Sequence, residues 1–331
     1  MLCRRISKDP ILILPLRGAL VGITDRWSPV GVTVAGGNGN GSGLDQLDRP
    51  KGLYVDDDLT IYVVDTSNSR VMEWKYNAIS GSIVGGVNGQ GRDDDQLFSP
   101  TDVIVDKRTD SLIICDSWNN RIVRWSRQNS TRREIIKLYW GCHGLTMDDD
   151  GSLYFSTGRH GTVMRQRIGE PYPTVIPSDY YQTYLDIDRM DYYRTYLDID
   201  RWRSYFTYIF VSHVHSVYVS EILKNQVKEP FTVRAGNGDG RGPSLSYMNR
   251  PAGVVVDQFH TVYVAESFGN RITRWPLSAA EGSIVVGESG KGNRSDQLNE
   301  PEGLSFDRYG NLYVVDSLNS RVQRFDRIRS C

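Results

Sequence analysis

Along this chain apolar residues come in short runs separated by Gly, Asn, Asp and Pro, and no stretch repeats them at helical spacing. The run Leu53-Tyr54-Val55-Asp56 is followed by a turn at Asp57-Asp58, then by Ile61 to Val64, a second turn from Asp65 to Ser69, Arg70 to Trp74, and Ser82 to Val84. Such runs predict four short antiparallel strands in one twisted sheet. The stretch from Arg49 to Trp74 then returns with the same spacing, which makes it a repeat unit.

The second unit places strands at Val103 to Asp106, Leu112 to Asp116 and Arg121 to Trp125, with one extra residue in its first turn. The third keeps Gly144 to Asp148 and Leu153 to Phe155, but Thr157, His160 and Thr162 replace the Asp, Asn and Arg of the second turn. Spacing alone traces the fourth, through Ile209 to Val211, Ser216 to Ser220 and Gln226-Val227. The fifth has Val254 to Asp257, Val262 to Glu266 and Arg271 to Trp275, and the sixth Leu304 to Asp307, Leu312 to Asp316 and Arg321 to Phe325.

Too few residues follow Phe325 for a fourth strand, while the apolar run Val30 to Ala35 has no unit of its own. Pairing the two closes a ring and removes the sheet edges that would invite aggregation. The predicted fold is an all-β six-bladed β-propeller of four-stranded antiparallel blades, closed by an N-terminal strand that completes the last blade. Residues 1–29 show no periodicity and are expected to form a leader, with the propeller over 30–331. Between the third and fourth units, Asp179 to Met190 (DYYQTYLDIDRM) is followed by a near copy, Asp191 to Trp202 (DYYRTYLDIDRW). This duplicated insert at about 179–202 is expected to be a tolerated loop excursion.

Charge narrows the partners. Lys and Arg total 39 against 40 Asp and Glu, a formal net charge of -1, so no global basic field exists to hold nucleic acid. The apolar run Ile11 to Leu14 is cut off by Pro15 and Arg17, and nothing later approaches the roughly 20 apolar residues of a membrane helix, so a soluble chain is expected. The four cysteines, Cys3, Cys115, Cys142 and Cys331, form no C-x-x-C pair and predict neither a zinc ribbon nor a redox motif. Cys115 sits within an apolar run and reads as a small buried thiol, which slightly favours a cytoplasmic over a secreted setting.

The composite pattern P-x-G-[LV]-x-V-D, [IL]-Y-V-x-D-x-x-N-x-R-[VI], a Gly/Asn-rich loop and Q-L resembles the NHL-repeat family over roughly residues 30 to 327. Its recurring polar residues read as structural ties. Asp65, Asp116 and Asp316 end a strand, where a carboxylate can accept N–H bonds from the following turn, and Asn68, Asn119 and Asn319 suit left-handed or Asx-turn conformations. Arg70, Arg121, Arg271 and Arg321 start the next strand within reach of such a carboxylate, and Trp74, Trp125, Trp275 and Phe325 are expected to pack between blades. The glycine loops at 37–43, 236–242 and 287–292 look like phosphate cradles, but none precedes a helix or completes G-x-x-x-x-G-K-[ST], and turn geometry explains them better.

The residue after the Pro of P-x-G lies at the start of each channel-lining strand, so by spacing Lys51, Thr101, His143, Thr207, Ala252 and Glu302 form a ring of candidate binding residues at the channel mouth. In the amidating-lyase branch of similar propellers several of these positions are His and bind a catalytic zinc; only His143 matches here, short of the three protein ligands such sites use. His213 and His215, two apart, are the best local metal-like pair but belong to a turn away from His143. Calcium-dependent lactonase-like propellers need converging carboxylate and amide oxygens, of which the ring supplies Glu302 alone, and no nucleophile elbow is present. No catalytic residue, metal or cofactor is therefore assigned. The expectation is a monomeric, non-catalytic binding scaffold presenting a propeller face to a protein or peptide; the alternative is a lactonase, hydrolase or amidating-lyase-type propeller enzyme with a metal in its channel. Basic NHL-type propellers serve as RNA platforms, but apart from the local cations Arg49, Lys51, Arg250 and Lys291 the near-neutral charge disfavours RNA here.

Overall fold

Six four-stranded antiparallel sheets surround a central channel in the computed structural model, which describes residues 21–22, 24–128, 132–157, 162–176, 206–212, 214–229, 232–236 and 244–328, with backbone alone at 132–135 and 206–207. From the channel outwards, blade 1 is Leu53–Val55, Ile61–Asp65, Arg70–Trp74 and Ser82–Gly85. Blade 2 is Asp102–Asp106, Ser111–Asp116, Arg121–Ser126 and Arg132–Lys137. Blade 3 is Cys142–Met147, Leu153–Thr157, Thr162–Gln166 and Thr174–Val175. Blade 4 is Phe206–Val211, Val217–Glu221, Gln226–Glu229 and Thr232–Ala235, and blade 5 is Pro251–Val256, Val262–Glu266, Arg271–Trp275 and Ser283–Val286. Blade 6 takes Pro301–Phe306, Leu312–Asp316 and Arg321–Phe325 from the end of the chain and Val32–Gly36 from its beginning. First strands of successive blades touch all the way round, blade 6 against blade 1 included.

Second strands are buried on both faces, as Ile61–Asp65 and Leu312–Asp316 are at every position, because each blade is sandwiched between two others. That is why they read as continuous apolar runs, without the alternation of a half-exposed strand. Trp74, Trp125, Trp275 and Phe325 on the third strands are almost wholly buried, as are Tyr62, Tyr218, Tyr263 and Tyr313 on the second.

The repeated polar residues clasp blades 1, 2 and 6 to the loop before each. Arg70 Nε donates to Asp65 at 2.7 Å, and its terminal nitrogens donate to the carbonyls of Ser42, Gly43 and Gln46 in the glycine loop. Arg121 and Arg321 repeat the arrangement on Asp116 and Asp316, and Arg271 pairs with Glu266. Asp65 accepts its backbone bond from Asp48 N–H, in the preceding loop and not in the following turn, because the chain leaves the strand away from the carboxylate. Asn68, Asn119 and Asn319 are not the left-handed residues either: their amides bridge the carboxylate to the carbonyls of Gly41, Gly91 and Gly292. The positive φ falls one residue later, at Ser69, Asn120 and Ser320.

Two features depart from the repeat. Arg26–Trp27, aperiodic in sequence, pairs with Arg327–Ile328, and the Trp27 ring is buried against Tyr263 and Phe306. Cys115 is not a free thiol but is disulfide-bonded to Cys142, which removes the ground on which a reducing setting was expected. Cys142 occupies the position held by Pro in blades 1, 2, 5 and 6, which brings its Cα to 5.7 Å from that of Cys115 on the second strand of blade 2. Among the described residues no helix is long and apolar enough to cross a membrane. The duplicated insert, residues 1–20, His160 and His213 lie outside the described residues.

Candidate functional site: the channel mouth and its rim

A recurring bulge builds the mouth. In blades 3 to 6 the residues Cys142, Phe206, Pro251 and Pro301 pair with the end of the second strand, and the register then slips by one before Leu145, Ile209, Val254 and Leu304. The extra residue lies in the stretch containing His143, Thr207, Ala252 and Glu302, and such bulges re-aim side chains. Glycine follows in blades 3, 5 and 6 and Tyr208 in blade 4; in blades 5 and 6 the neighbouring inner strands nearly touch, and a Cβ on Gly253 would sit 2.3 Å from the Glu302 carbonyl oxygen, one on Gly303 2.5 Å from that of Lys51. Blade 2 has Asp102 in place of the glycine, and its carboxylate accepts a bond from Leu145 N–H of blade 3 at 2.8 Å.

Around this ring the chemistry is uneven. Lys51, at the start of blade 1, is half-buried and accepts a backbone bond from Gly303 N–H of blade 6 at 3.0 Å. Its ammonium acts on both neighbouring titratable groups. His143 is half-buried, and burial, with the Lys51 charge beside it, lowers its pKa from 6.5 to about 4, so the imidazole is neutral at physiological pH. Burial pushes the Glu302 carboxyl up, while the Lys51 and Arg250 charges pull it back; Ser267 Oγ stands 3.5 Å away. Thr101 is buried with its hydroxyl donating towards the Cys142 carbonyl at 3.2 Å, and Ala252 is buried and inert. Of Thr207 only the backbone is described, in the first strand of blade 4.

The rim carries a second set of residues that repeat spacing hides. The turn after each second strand opens on the same face as the mouth, and its third residue is the one the clasp leaves free. That residue is Ser67, Trp118, Leu223, Phe268 and Leu318 in blades 1, 2, 4, 5 and 6. Trp118, Leu223, Phe268 and Leu318 are 64%, 50%, 52% and 39% exposed, so equivalent turns of four blades present apolar surface around the opening. Phe98 packs against Trp118 with ring centroids 5.0 Å apart, and the Arg250 guanidinium lies 4.6 Å over the Phe268 ring. Beside Trp118 an open depression of about 520 Å³ is lined by Arg92, Lys137 and Leu138. Aligning the turns on their Asp and Arg would have exposed this crown in the sequence.

Metal-ligating types gather elsewhere. His215, in the turn after the first strand of blade 4, lies 3.4 Å from Asp148 and 3.8 Å from Asp150 of blade 3, at the opposite end of the channel from His143. The three could approach a common ion. Asp148 is already held by Ser152 N–H and Tyr154 Oη, a bond that Tyr263 and Tyr313 repeat on Asp257 and Asp307 in blades 5 and 6. At the mouth His143, Glu302 and Asp102 do not converge as a group of three, the number of protein ligands that catalytic zinc sites use.

The NHL repeat model matches residues 47–72. Among curated proteins no sequence matches the chain. Of solved structures, an auxiliary nutrient binding protein from Bacteroides thetaiotaomicron superposes with a TM-score of 0.67 at 14% identity, over 92% of this chain and 78% of the other. A gluconolactonase from Xanthomonas campestris gives a TM-score of 0.60 at 12% identity, over 98% and 100% of the two chains. A streptogramin B lyase gives 0.56 at 13% identity, over 86% and 96%. At these identities the likeness is one of fold, and it spans binding proteins and enzymes alike.

Proposed function

We propose that this six-bladed β-propeller with NHL repeats is a non-catalytic binding module that receives a protein or peptide on the face around the channel mouth. The observation carrying this reading is the crown of Trp118, Leu223, Phe268 and Leu318, four large apolar side chains exposed at equivalent turns. The Asp–Arg pairs beneath Trp118 and Leu318 and the Glu266–Arg271 pair beneath Phe268 tie down three of these turns, which lowers the ordering entropy that contact costs. Exposed tryptophan and other aromatics beside cations such as Arg92, Lys137 and Arg250 are the residue types that dominate protein-recognition surfaces.

Panning a displayed library of random peptides on the purified protein tests the reading. Enriched peptides are expected to lose about tenfold or more in affinity for a Trp118→Ser/Phe268→Ser double variant whose thermal unfolding is unchanged. Peptides that bind both proteins equally, or no enrichment at all, would remove the crown from the function.

A further inference from the structure

A disulfide such as that between Cys115 and Cys142 forms and persists in an oxidising compartment. In eukaryotic cells that compartment also holds the enzyme that links oligosaccharide to Asn in N-x-[ST] segments of surface loops. The chain has three such segments, Asn40-Gly41-Ser42, Asn129-Ser130-Thr131 and Asn293-Arg294-Ser295, and Asn129 lies outside the described residues.

Asn293 is exposed, in the loop that leads from the outer strand of blade 5 to the inner strand of blade 6, and so are Arg294 and Ser295 beside it. The loop is held by its backbone. The Arg294 carbonyl accepts from Arg321 at 2.8 Å, and the Ser295 carbonyl from Gly31 N–H at 2.8 Å. The Asn293 amide and the Ser295 hydroxyl, the two groups that define the acceptor segment, make no hydrogen bond among the described residues. Asn40 is exposed as well, but its amide donates to Asp48 at 2.9 Å and its backbone bridges to Leu47. A substituent on Asn40 competes with that bond, whereas one on Asn293 displaces nothing.

The surroundings of Asn293 have room for a bulky polar group. A Cβ on Gly290, in the same loop, would meet nothing within 4 Å. Gly292, the preceding residue, accepts a bond from Asn319 in the turn that exposes Leu318, as Gly91 does from Asn119 beside Trp118. Asn293 therefore stands where blade 2 has Arg92, at the edge of the mouth face.

We propose that Asn293 carries an N-linked oligosaccharide, beside Leu318 on the mouth face. In the attaching step Asn293 Nδ2 bonds to the anomeric carbon of an oligosaccharide carried on a lipid pyrophosphate. The bond from that carbon to the pyrophosphate oxygen breaks, the lipid pyrophosphate leaves with its electron pair, and the amide gives up one proton. The assignment stands apart from the peptide-binding reading and does not depend on it.

The test takes the protein from the cells that make it, treats it with peptide-N-glycosidase in heavy-oxygen water, and maps its peptides by mass spectrometry. Asn293 is expected to be recovered in most molecules as heavy-oxygen-labelled Asp. Ser295→Ala keeps Asn293 and every contact made by the Ser295 backbone, and it is expected to abolish the label, because the transferase reads the hydroxyl. An unlabelled Asn293 would overturn the assignment, whether or not Asn40 is labelled. A label that persists in Ser295→Ala would report deamidation of the asparagine and would overturn it as well. The first comparison is made on the unaltered chain, so it needs no variant to fold.

Discussion

At the scale of single residues, the same chemical groups do opposite work according to their partners. Arg70 and Asp65 are both buried, and each is fully used: the carboxylate by Asp48, Asn68 and Arg70, the guanidinium by that carboxylate and the glycine-loop carbonyls. Asp65→Ala strands a buried cation and is expected to cost about 3–5 kcal/mol in urea denaturation, whereas Lys51→Met, which breaks no side-chain hydrogen bond or ion pair among the described residues, is expected to leave the midpoint unchanged. His143 gives a pH signature. Its folded pKa of about 4 lies below the ordinary 6.5, so between these values the unfolded chain binds a proton that the folded chain refuses. Stability from this group is complete above pH 6.5 and is lost as the pH falls towards 4. His143→Gln should therefore lose less stability on acidification than the unaltered chain, and in NMR titrations Lys51→Met should raise the His143 midpoint.

At the scale of elements, the sequence showed where strands begin and end but not how neighbouring strands meet. Strand positions were legible because each run is bounded by turn residues and recurs with fixed spacing, so even blade 4, with Phe206 where Pro stands elsewhere, could be placed. Of the two conformations expected for the turn Asn, left-handed or Asx-turn, the left-handed one falls on its successor, since the Asn is held by its side chain. The disulfide was illegible for a different reason: Cys115 and Cys142 belong to different blades, and the packing of blade 3 on blade 2 brings them together. Cys142→Ala is expected to lower stability by about 2–4 kcal/mol, and mass spectrometry of a non-reduced digest should recover the two cysteines in linked peptides. The inner-strand glycines matter through contact, not conformation. Gly303→Ala, which would place a methyl 2.5 Å from the Lys51 carbonyl oxygen, is expected to cost about 1–3 kcal/mol by urea denaturation. Gly290→Ala has open space around it and meets only the penalty of its positive φ, about 1 kcal/mol.

At the scale of the whole molecule, closure was legible as a shortage at one end of the chain matched by a surplus at the other. What spacing could not give was the chemistry of the face: that Lys51 lies beside both His143 and Glu302, and that four apolar turns surround them, follows from blades meeting in space. Closure makes one further prediction. Deleting residues through Gly36 unpairs Arg321–Phe325 and leaves an exposed edge strand, so the shortened chain is expected to aggregate in size-exclusion chromatography while the full chain elutes as a single species. The same pairing has a consequence in time. During synthesis Val32–Gly36 leaves the ribosome long before Arg321–Phe325 does, and at about 5–20 residues/s its partner follows only after roughly 15 to 60 s. Blades 1 to 5 can fold one after another in that interval, but the early strand must wait in solution as an unclaimed β-segment, so any nascent-chain chaperone that shields this protein has its longest task at that strand.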